Sequence, residues 1–272
     1  MELPMEFIDS HCHLDYDYAP KSAGDLVREA HAAGITHLVT IGTEMPRLAE
    51  MVKISEAFPN VYHTVGIHPH EAKDVTDADI ATLEAAARHP KCRAIGEIGL
   101  DYYYDHSPRE PQIKSLNAQL DLALRVKLPI VVHARDAEAD LLPALTRYAQ
   151  AARASLGSRP PGAIHCFTGT EEFGLACIDL GFLISFSGIL TFKNSEPLRA
   201  AARKFPLESL MVETDSPFLA PIPFRGKKCE PAMVRMTAEK LAEVKGVPVA
   251  EVARVTTANA RRFFGLPEPS ET

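Results

Sequence analysis

Short apolar or β-branched runs alternate along this chain of 272 residues with longer segments whose apolar residues recur at helical spacing. Runs of the first kind are typical of strands, and segments of the second kind are typical of amphipathic helices. The short runs predict eight strands, at residues 7–13, 37–42, 61–68, 93–101, 129–135, 162–169, 182–188 and 210–215. The longer segments predict helices at residues 23–33, 44–58, 110–126, 136–151, 230–242 and 249–264.

A helix after nearly every strand implies parallel strands joined by right-handed crossovers, which form either an open sheet or a closed barrel. Eight strand–helix repeats favour the barrel, and no G-x-G-x-x-G or Walker-type loop follows the first strand to favour an open nucleotide-binding sheet. An α/β barrel also uses a chain of this length as a single unit. We therefore predict one (β/α)8 TIM-barrel domain over residues 1–272, with a flexible tail at about residues 265–272.

Composition changes this picture little, because 46% hydrophobic and 24% charged residues are ordinary values for a globular protein. The five cysteines are scattered without a C-x-x-C pair, which predicts free thiols in a reducing compartment. The first residues lack the pattern of a signal peptide, and no apolar stretch approaches the length of a membrane span. We therefore predict a cytoplasmic protein without membrane contact, and we infer no obligate protein partner. The net charge of −7 argues against coating of nucleic acid by the whole surface, but it allows positive charge at a local site.

Polar residues interrupt the apolar runs at one end of the predicted barrel. His11 and His13 lie two positions apart in the first strand, so their side chains point the same way and form half of a metal site. Taken alone, the pair could equally be one hydrogen-bonded core histidine and one solvated histidine. Further candidates stand in or just after later strands: His68, Glu97, His133, His165 and Asp215. Chemistry in such barrels lies at the C-terminal strand ends, and unpaired polar groups there would be costly, so the set predicts a metal site.

The predicted ligands offer nitrogen and oxygen without sulfur, because strand alternation should turn Cys12 and Cys166 toward the helix layer. Four histidines and two carboxylates exceed what one tetrahedral ion uses, so we predict two adjacent ions, with Glu97 able to reach both. Asp215 would hold and deprotonate the attacking water. Mg²⁺, Mn²⁺ and Zn²⁺ all stay open as the ion, and phosphodiester, ester and amide bonds all stay open as the substrate. Two further acids are interpreted as structural hydrogen-bond acceptors: Asp9 and Glu213.

Several cationic and aromatic residues have positions suited to a phosphate-bearing substrate. Arg135 lies two residues past His133, and its guanidinium fork suits a phosphate or a carboxylate. A basic cluster follows the eighth strand and one lysine follows the seventh, where they could clamp phosphate or simply be solvated: Arg225, Lys227, Lys228 and Lys193. Three tyrosines beyond the fourth strand could stack a base or pack onto the barrel rim: Tyr102, Tyr103 and Tyr104.

Seven motifs of this chain match those of one family. They are IDSHCHLD (8–15), GIHPHEA (66–72), GEIGLDYYYDHSPRE (96–110), VVHARDA (131–137), IHCFTGT (164–170), ETDSPFLAP (213–221) and RGKKCEP (225–231). The chain resembles the TatD-like metal-dependent deoxyribonucleases, a branch of the amidohydrolase-type barrels. The resemblance runs in order from residue 8 to about residue 264, and the motifs are highly specific as a set.

The resemblance implies a (β/α)8 barrel, a divalent-metal site and 3′–5′ exonuclease or endonuclease activity on DNA, with single-stranded DNA or 3′ ends as the expected substrate. The family's metal ligands fall on His11, His13, Glu97, His133, His165 and Asp215. His68 falls where it would act at the substrate phosphate, so the expected catalytic residues are Asp215, Glu97 and His68. The family includes deacylases of D-aminoacyl-tRNA, so a metal-dependent ester or amide hydrolase is the alternative. A metal-binding protein without turnover is the third hypothesis.

Overall fold

Eight parallel strands form one sheet in sequence order in the computed structural model, which describes residues 5–268. The strands are β1 (Phe7–Cys12), β2 (Ile35–Thr40), β3 (Val61–Val65), β4 (Cys92–Asp101), β5 (Ile130–Arg135), β6 (Gly162–Ile164), β7 (Leu183–Phe186) and β8 (Leu210–Val212). All seven neighbouring pairs are parallel. The sheet therefore has the strand order that the sequence predicts.

Contacts between the first and last strands bring the sheet close to a closed barrel. The Ser10 hydroxyl donates to the Val212 carbonyl oxygen (3.0 Å), and the His13 amide donates to the Ser216 carbonyl oxygen (2.9 Å). The Asp215 amide donates in turn to the His11 carbonyl oxygen (2.9 Å). The predicted (β/α)8 TIM barrel is thus confirmed, and these closing contacts also fix the backbone on which several site residues stand.

Helices follow the strands and cover the barrel. Within residues 5–268 they are α1 (Ala23–Ala32), α2 (Leu48–Ala57), α3 (Asp77–Ala86), α4 (Arg109–Val126), α5 (Glu138–Leu156), α6 (Glu171–Asp179), α7 (Glu196–Lys204), α8 (Val234–Lys245) and α9 (Val249–Phe264). Three helices without predicted bounds are short: α3, α6 and α7. Side-chain caps mark the starts of two of them, since the Thr76 and Thr170 hydroxyls accept from the amides of Asp79 and Phe173.

The apolar core has two parts. A large cluster fills the space between the strands and the surrounding helices, with Phe7 and Phe186 fully buried in it. A smaller cluster occupies the lower interior of the barrel, where Ile8 and neighbouring strand residues pack with Phe263 and Phe264 of α9. The last helix therefore closes the N-terminal end of the barrel, and the opposite end remains available for polar residues.

The alternation of two strands is interrupted at the polar residues that they carry, His11 in β1 and Glu97 in β4. Register shifts lie between Asp9 and Cys12 in β1 and between Ile95 and Ile98 in β4. Ile8 packs inside the barrel while Cys12 packs in the outer cluster, although strict alternation would place both on one face. Such irregularities redirect side chains next to active sites, and here they leave His11 free to face the barrel mouth.

Several predicted strands are longer than the strands in the structure, and three of them extend at least three residues past the observed C-terminal end. The third, sixth and eighth strands end at Val65, Ile164 and Val212 rather than at residues 68, 169 and 215. His68, His165 and Asp215 consequently lie in the loops that follow these strands. The loops still begin at the C-terminal mouth, so the corrected bounds do not move the three residues away from the site.

The packed part of the chain extends slightly beyond residue 264, where the predicted flexible tail begins. Gly265 caps α9 in the left-handed region, and Leu266 is buried against the lower barrel cluster. The packed chain thus includes the first residues of the predicted tail, and residues 269–272 lie outside the described residues, as do residues 1–4. Within residues 5–268, no helix is both long enough and apolar enough to cross a membrane.

Candidate metal centre

Six predicted ligands converge at the C-terminal mouth of the barrel, with Glu97 at their centre. One carboxylate oxygen of Glu97, Oε1, lies 2.6 Å from His165 Nε2 and 3.0 Å from His133 Nδ1. The other, Oε2, lies 3.5 Å from His11 Nε2. The Glu97 side chain is only 4% exposed. A buried carboxylate with imidazoles against both oxygens is able to serve two neighbouring cations.

Asp215 completes the cluster on the side of the first strand. Its Oδ1 lies 3.3 Å from His13 Nε2 and 3.6 Å from His11 Nε2. The residue has a φ of 56°, a left-handed conformation that aspartate tolerates better than most residues. Its side chain is 14% exposed, which makes it more accessible than Glu97. Asp215 therefore stands where the buried cluster meets the pocket.

Hydrogen bonds on the far side of three rings set the nitrogen that faces the carboxylates. His13 Nδ1 lies 3.3 Å from the Ile41 carbonyl oxygen, so it must carry the proton that it donates. His133 Nε2 pairs with Asp101 (3.0 Å), and His165 Nδ1 pairs with Glu213 (3.3 Å). In each neutral ring the other nitrogen then holds a lone pair directed toward Glu97 or Asp215, which is the arrangement typical of metal-ligating histidines.

Buried nitrogen atoms without partners point to the same conclusion. Among the described residues, the Nε2 atoms of His11 and His165 are buried without a hydrogen-bond partner, even though Glu97 lies close to both. Lone pairs and carboxylate oxygens that face each other repel unless a cation or a proton lies between them. The residues present thus fit a divalent ion, and they form three groups that could hold one: His11–His13–Asp215, His11–Glu97–His165 and His68–Glu97–His133.

His68 has the opposite arrangement, although its ring lies within reach of Glu97 and His133. Its Nδ1 accepts a hydrogen bond from the His70 amide (3.1 Å). The proton of the neutral ring must then be on Nε2, which lies 3.4 Å from Glu97 Oε1. This tautomer presents a hydrogen-bond donor beside Glu97, which suits an anionic partner better than a metal ion.

The pKa values of the cluster follow from burial and from mutual charge. Burial alone would raise the pKa of Glu97, but the nearby imidazoles hold it well below its usual range. Burial lowers the pKa of His68 to about 4 and also lowers the pKa of His11, whose ring stacks on His165 at 3.9 Å. The carboxylates overcome burial and raise the pKa of the three remaining ligand rings: His13, His133 and His165. Binding of a cation would therefore release protons from these rings.

Asp101 was missed by the sequence analysis, and the structure places it directly behind the cluster. Its Oδ2 accepts from His133 Nε2 (3.0 Å) and His70 Nε2 (2.9 Å). Its Oδ1 accepts from the amides of Tyr103 (3.0 Å) and Tyr104 (2.9 Å). Its position in the sequence could have identified it, because Asp101 ends the fourth strand, four residues after Glu97 and on the same strand parity. Asp101 thus joins the predicted ligand His133 to the tyrosine loop at the rim.

Cys166 does not face the helix layer, and that prediction was wrong. β6 ends at Ile164, and Cys166 has a φ of 42°, so strand alternation does not extend to it. Its side chain lines the mouth pocket, with Sγ 3.2 Å from the Ser187 hydroxyl. Cys12 does pack in the outer cluster. Asp9 and Glu213 act as acceptors, as interpreted, from the amides of Thr214 (2.9 Å) and Cys166 (2.6 Å), respectively.

The cluster opens into a pocket of about 490 Å³ whose wall includes only some of the predicted substrate contacts. Arg135 lines it and donates from Nη1 to the Thr168 hydroxyl (3.1 Å). Tyr104 also lines it and is 57% exposed, whereas Tyr102 packs on the rim and donates to Asp140 (2.8 Å). The predicted basic residues of two loops are not among the described residues that line this pocket: Lys193, Arg225, Lys227 and Lys228.

A parallel barrel with a buried histidine–carboxylate cluster at its C-terminal mouth is the arrangement of a metal-dependent hydrolase. Comparison with known proteins specifies the family, because the profile described as "TatD related DNase" matches residues 8–265. The chain belongs to this TatD family of metal-dependent hydrolases, which confirms the resemblance seen in the motifs.

Relatives and solved structures agree with this assignment over almost the whole chain. The "uncharacterized metal-dependent hydrolase YcfH" of Escherichia coli is 41% identical over 96% of this chain and 97% of its own. The "3'-5' ssDNA/RNA exonuclease TatD" of Salmonella typhimurium is 32% identical over 90% of this chain and 93% of its own. The crystal structure of the TatD homologue YjjV of Escherichia coli is 29% identical, with a TM-score of 0.88 over 97% of this chain and 99% of that one.

Proposed function

We propose that this protein is a divalent-metal-dependent nuclease that hydrolyses phosphodiester bonds of DNA, as a 3′–5′ exonuclease or an endonuclease. The observation that carries the proposal is the environment of Arg135. Among the described residues, its Nε is buried without a hydrogen-bond partner at a pocket that also holds the candidate metal cluster. A guanidinium with a free donor beside two cation sites suits a phosphate group. The Salmonella relative, named for single-stranded DNA and RNA, supports the same substrate class.

Six residues would hold two ions in this proposal. They are His11, His13, Glu97, His133, His165 and Asp215. A bound Mg²⁺, Mn²⁺ or Zn²⁺ pair supplies Lewis-acid charge that acidifies water and neutralises phosphate oxygens. The protein contributes the fixed orientation of the rings, through the hydrogen bonds to Ile41, Asp101 and Glu213.

Asp215 is assigned as the general base. It is the more exposed of the two cluster carboxylates and it borders the pocket, so it can accept a proton from an attacking water. Glu97 is too enclosed by imidazoles to take this role, and it holds the two halves of the cluster together instead.

His68 and Arg135 are assigned to the phosphate. His68 has its Nε2–H beside Glu97 at the pocket, and Arg135 lines the pocket with an Nε–H that has no partner among the described residues. Neither group needs to lose a proton to bind an anion. Tyr103 and Tyr104 are 58% and 57% exposed at the rim, where each could stack a base of a single strand. Tyr103 also lies under the Arg135 guanidinium at 5.0 Å, so base and phosphate contacts are adjacent.

Cleavage of an end-labelled single-stranded oligonucleotide tests the proposal. The metal-stripped protein is assayed with Mg²⁺, Mn²⁺ or Zn²⁺ restored, beside Arg135→Gln and the control Arg125→Gln, which removes a charge from the outer face of α4. We expect metal-dependent shortening that the first variant weakens and the control does not. D-aminoacyl-tRNA is assayed in parallel, and release of its amino acid with intact DNA would favour the ester-hydrolase alternative.

The cytoplasmic location of the protein stays a prediction.

A further inference from the structure

A second cleft, of about 380 Å³, lies outside the mouth pocket on the flank formed by α7 and α8. Cationic side chains predominate in its wall, which includes two acids and four bases: Glu196, Glu243, Lys193, Arg199, Arg203 and Lys240. The chain as a whole carries a net charge of −7, so this excess of bases is a local feature. The cleft therefore presents a positive surface on an otherwise acidic protein.

The bases of the cleft are held in place but are not neutralised as a group. Glu196 accepts from both Arg199 (2.8 Å) and Arg203 (2.7 Å), and Lys240 pairs with Glu243 (2.7 Å). Lys193 is exposed and has no ion-pair partner among the described residues. The remaining donors of Arg199 bind the backbone carbonyls of Leu190, Phe192 and Lys193, so the positive charge available to an anion is that of Arg203 and Lys193.

Arg225 extends the same surface toward the mouth. Its guanidinium lies 3.8 Å from the centroid of the Phe192 ring, and Phe192 lines the cleft. Stacking on an aromatic face orients a guanidinium while its N–H groups remain able to bind phosphate. Within the described part of the chain, Arg225 forms no ion pair, and it is exposed. Arg225 and Lys193 thus belong to one basic surface.

A short segment joins this surface to the mouth pocket. The 3₁₀ helix Gly188–Thr191 has Ile189 in the wall of the mouth pocket and Thr191 in the wall of the cleft. The Thr191 hydroxyl accepts from the Ile222 amide (2.9 Å), which ties the segment to the loop that carries Arg225. The backbone from residue 189 to residue 193 spans at most about 12 Å, because it contains only a few residues with the rise of a 3₁₀ helix or of extended chain. A single strand of nucleic acid that leaves the mouth pocket can therefore reach the cleft directly.

We propose that the α7–α8 cleft, with Lys193 and Arg225 at its upper edge, binds the backbone phosphates of a nucleic acid strand whose reacting end lies in the mouth pocket. The proposal rests on the proposed nuclease function and adds a second, distal binding site to it. Successive phosphates of a strand match several cations along one groove, whereas a small anion needs only one or two of them. It also explains why Lys193 and Arg225, which were predicted as possible phosphate contacts at the active site, lie outside the mouth pocket.

The test compares the wild-type protein with Lys193→Glu and with Arg254→Glu, a matched charge reversal on the exposed face of α9 at the opposite end of the barrel. Binding of a fluorescent oligothymidine of roughly 20 nucleotides, longer than one compact binding site, is measured with metal-stripped protein between about 50 and 200 mM salt. We expect Lys193→Glu to weaken binding several-fold and to reduce the slope of log affinity against log salt by about 0.7 or more. Arg254→Glu should leave both values unchanged.

Kinetics of the metal-loaded protein separate this site from the catalytic pocket. Lys193→Glu should lower kcat/KM for the same oligonucleotide by the factor seen in binding, and it should leave hydrolysis of bis(p-nitrophenyl) phosphate unchanged, because that ester is too small to reach the cleft. Equal loss with both substrates, or an unchanged salt slope, would overturn the proposal. If the oligonucleotide binds through Lys193 but is never cleaved, the nuclease function is contradicted and the binding role of the cleft stands. If it is cleaved and Lys193→Glu leaves the salt slope unchanged, the binding role of the cleft is contradicted and the nuclease function stands.

Discussion

At the C-terminal mouth of the barrel, imidazole and carboxylate groups are packed with lone pairs facing one another, whereas at the N-terminal end Ile8, Phe263 and Phe264 fill the interior with apolar contacts. The backbone is the same parallel barrel at both ends. At the N-terminal end the apolar side chains pack against one another, so this end contributes to folding stability. The polar groups of the mouth need protons or a cation between them, so this end contributes to ion binding and chemistry. Variants at the two ends should therefore separate stability from activity.

Asp215→Asn should give the largest effect on activity with the smallest effect on folding. The amide cannot accept the proton of the attacking water, and loss of a general base typically costs about 10²- to 10⁴-fold in rate. Asparagine keeps the shape of the side chain and tolerates the left-handed backbone at this position. Steady-state cleavage rates and urea unfolding measure the two properties, and a variant that retains full activity would contradict the role of Asp215.

Phe263→Ala should give the reverse result. Phe263 is fully buried beneath the barrel, and truncation of such a ring typically lowers the free energy of unfolding by about 3–5 kcal/mol. Phe218→Ala is the matched control at the mouth, because Phe218 is 48% exposed and should lose little unfolding free energy. Chemical denaturation of both variants checks the prediction. Equal losses would mean that the two ends do not divide their roles as described.

Asp101→Asn should weaken metal binding while leaving the fold in place. Asp101 holds the His133 proton on Nε2 and so keeps the Nδ1 lone pair toward Glu97, and loss of such a partner typically costs about 10- to 100-fold in metal affinity. Asp140→Asn is the control, because the Asp140 carboxylate accepts only from Tyr102 within residues 5–268, on the rim. Competition with a chelator measures the Mn²⁺ or Zn²⁺ dissociation constants. An unchanged affinity in Asp101→Asn would show that His133 needs no such partner.

The smallest effect is a pH dependence of stability that arises away from the mouth. His63 in β3 is buried against Ser55 (2.7 Å), and burial lowers its pKa to about 3. Below about pH 6.5 the unfolded state takes up a proton that the native state refuses, so stability falls as pH falls, by up to about 1.4 kcal/mol per unit from this group. His63→Asn should flatten the curve between about pH 6 and 4. Identical slopes for the two proteins in urea titrations would refute this assignment.

The existence and order of the strands were predictable because each is an apolar run followed by polar residues, and this was enough to bring His133 and Glu97 to one mouth. His68, His165 and Asp215 were also assigned to the mouth although they lie in loops, since each loop leaves a strand only a few residues earlier. The six predicted ligands therefore gather without depending on the predicted strand lengths.

Other features depend on geometry that strand alternation does not describe. Cys166 was misplaced because a left-handed residue reverses the direction of its side chain. Asp101 was missed because its role is set by partners on two other segments, at His70 and His133. The distance of Arg225 from the pocket was equally inaccessible, because it depends on the path of a long loop after β8.

We expect four histidines and two carboxylates to hold two ions and His68 to hold none. Metal content per chain, measured after saturation and gel filtration in the wild-type protein, His165→Asn and His68→Asn, tests this claim most directly. We predict two ions in the wild-type protein, two in His68→Asn, and fewer in His165→Asn. Loss of an ion from His68→Asn equal to the loss from His165→Asn would contradict the assignment of His68 to the phosphate.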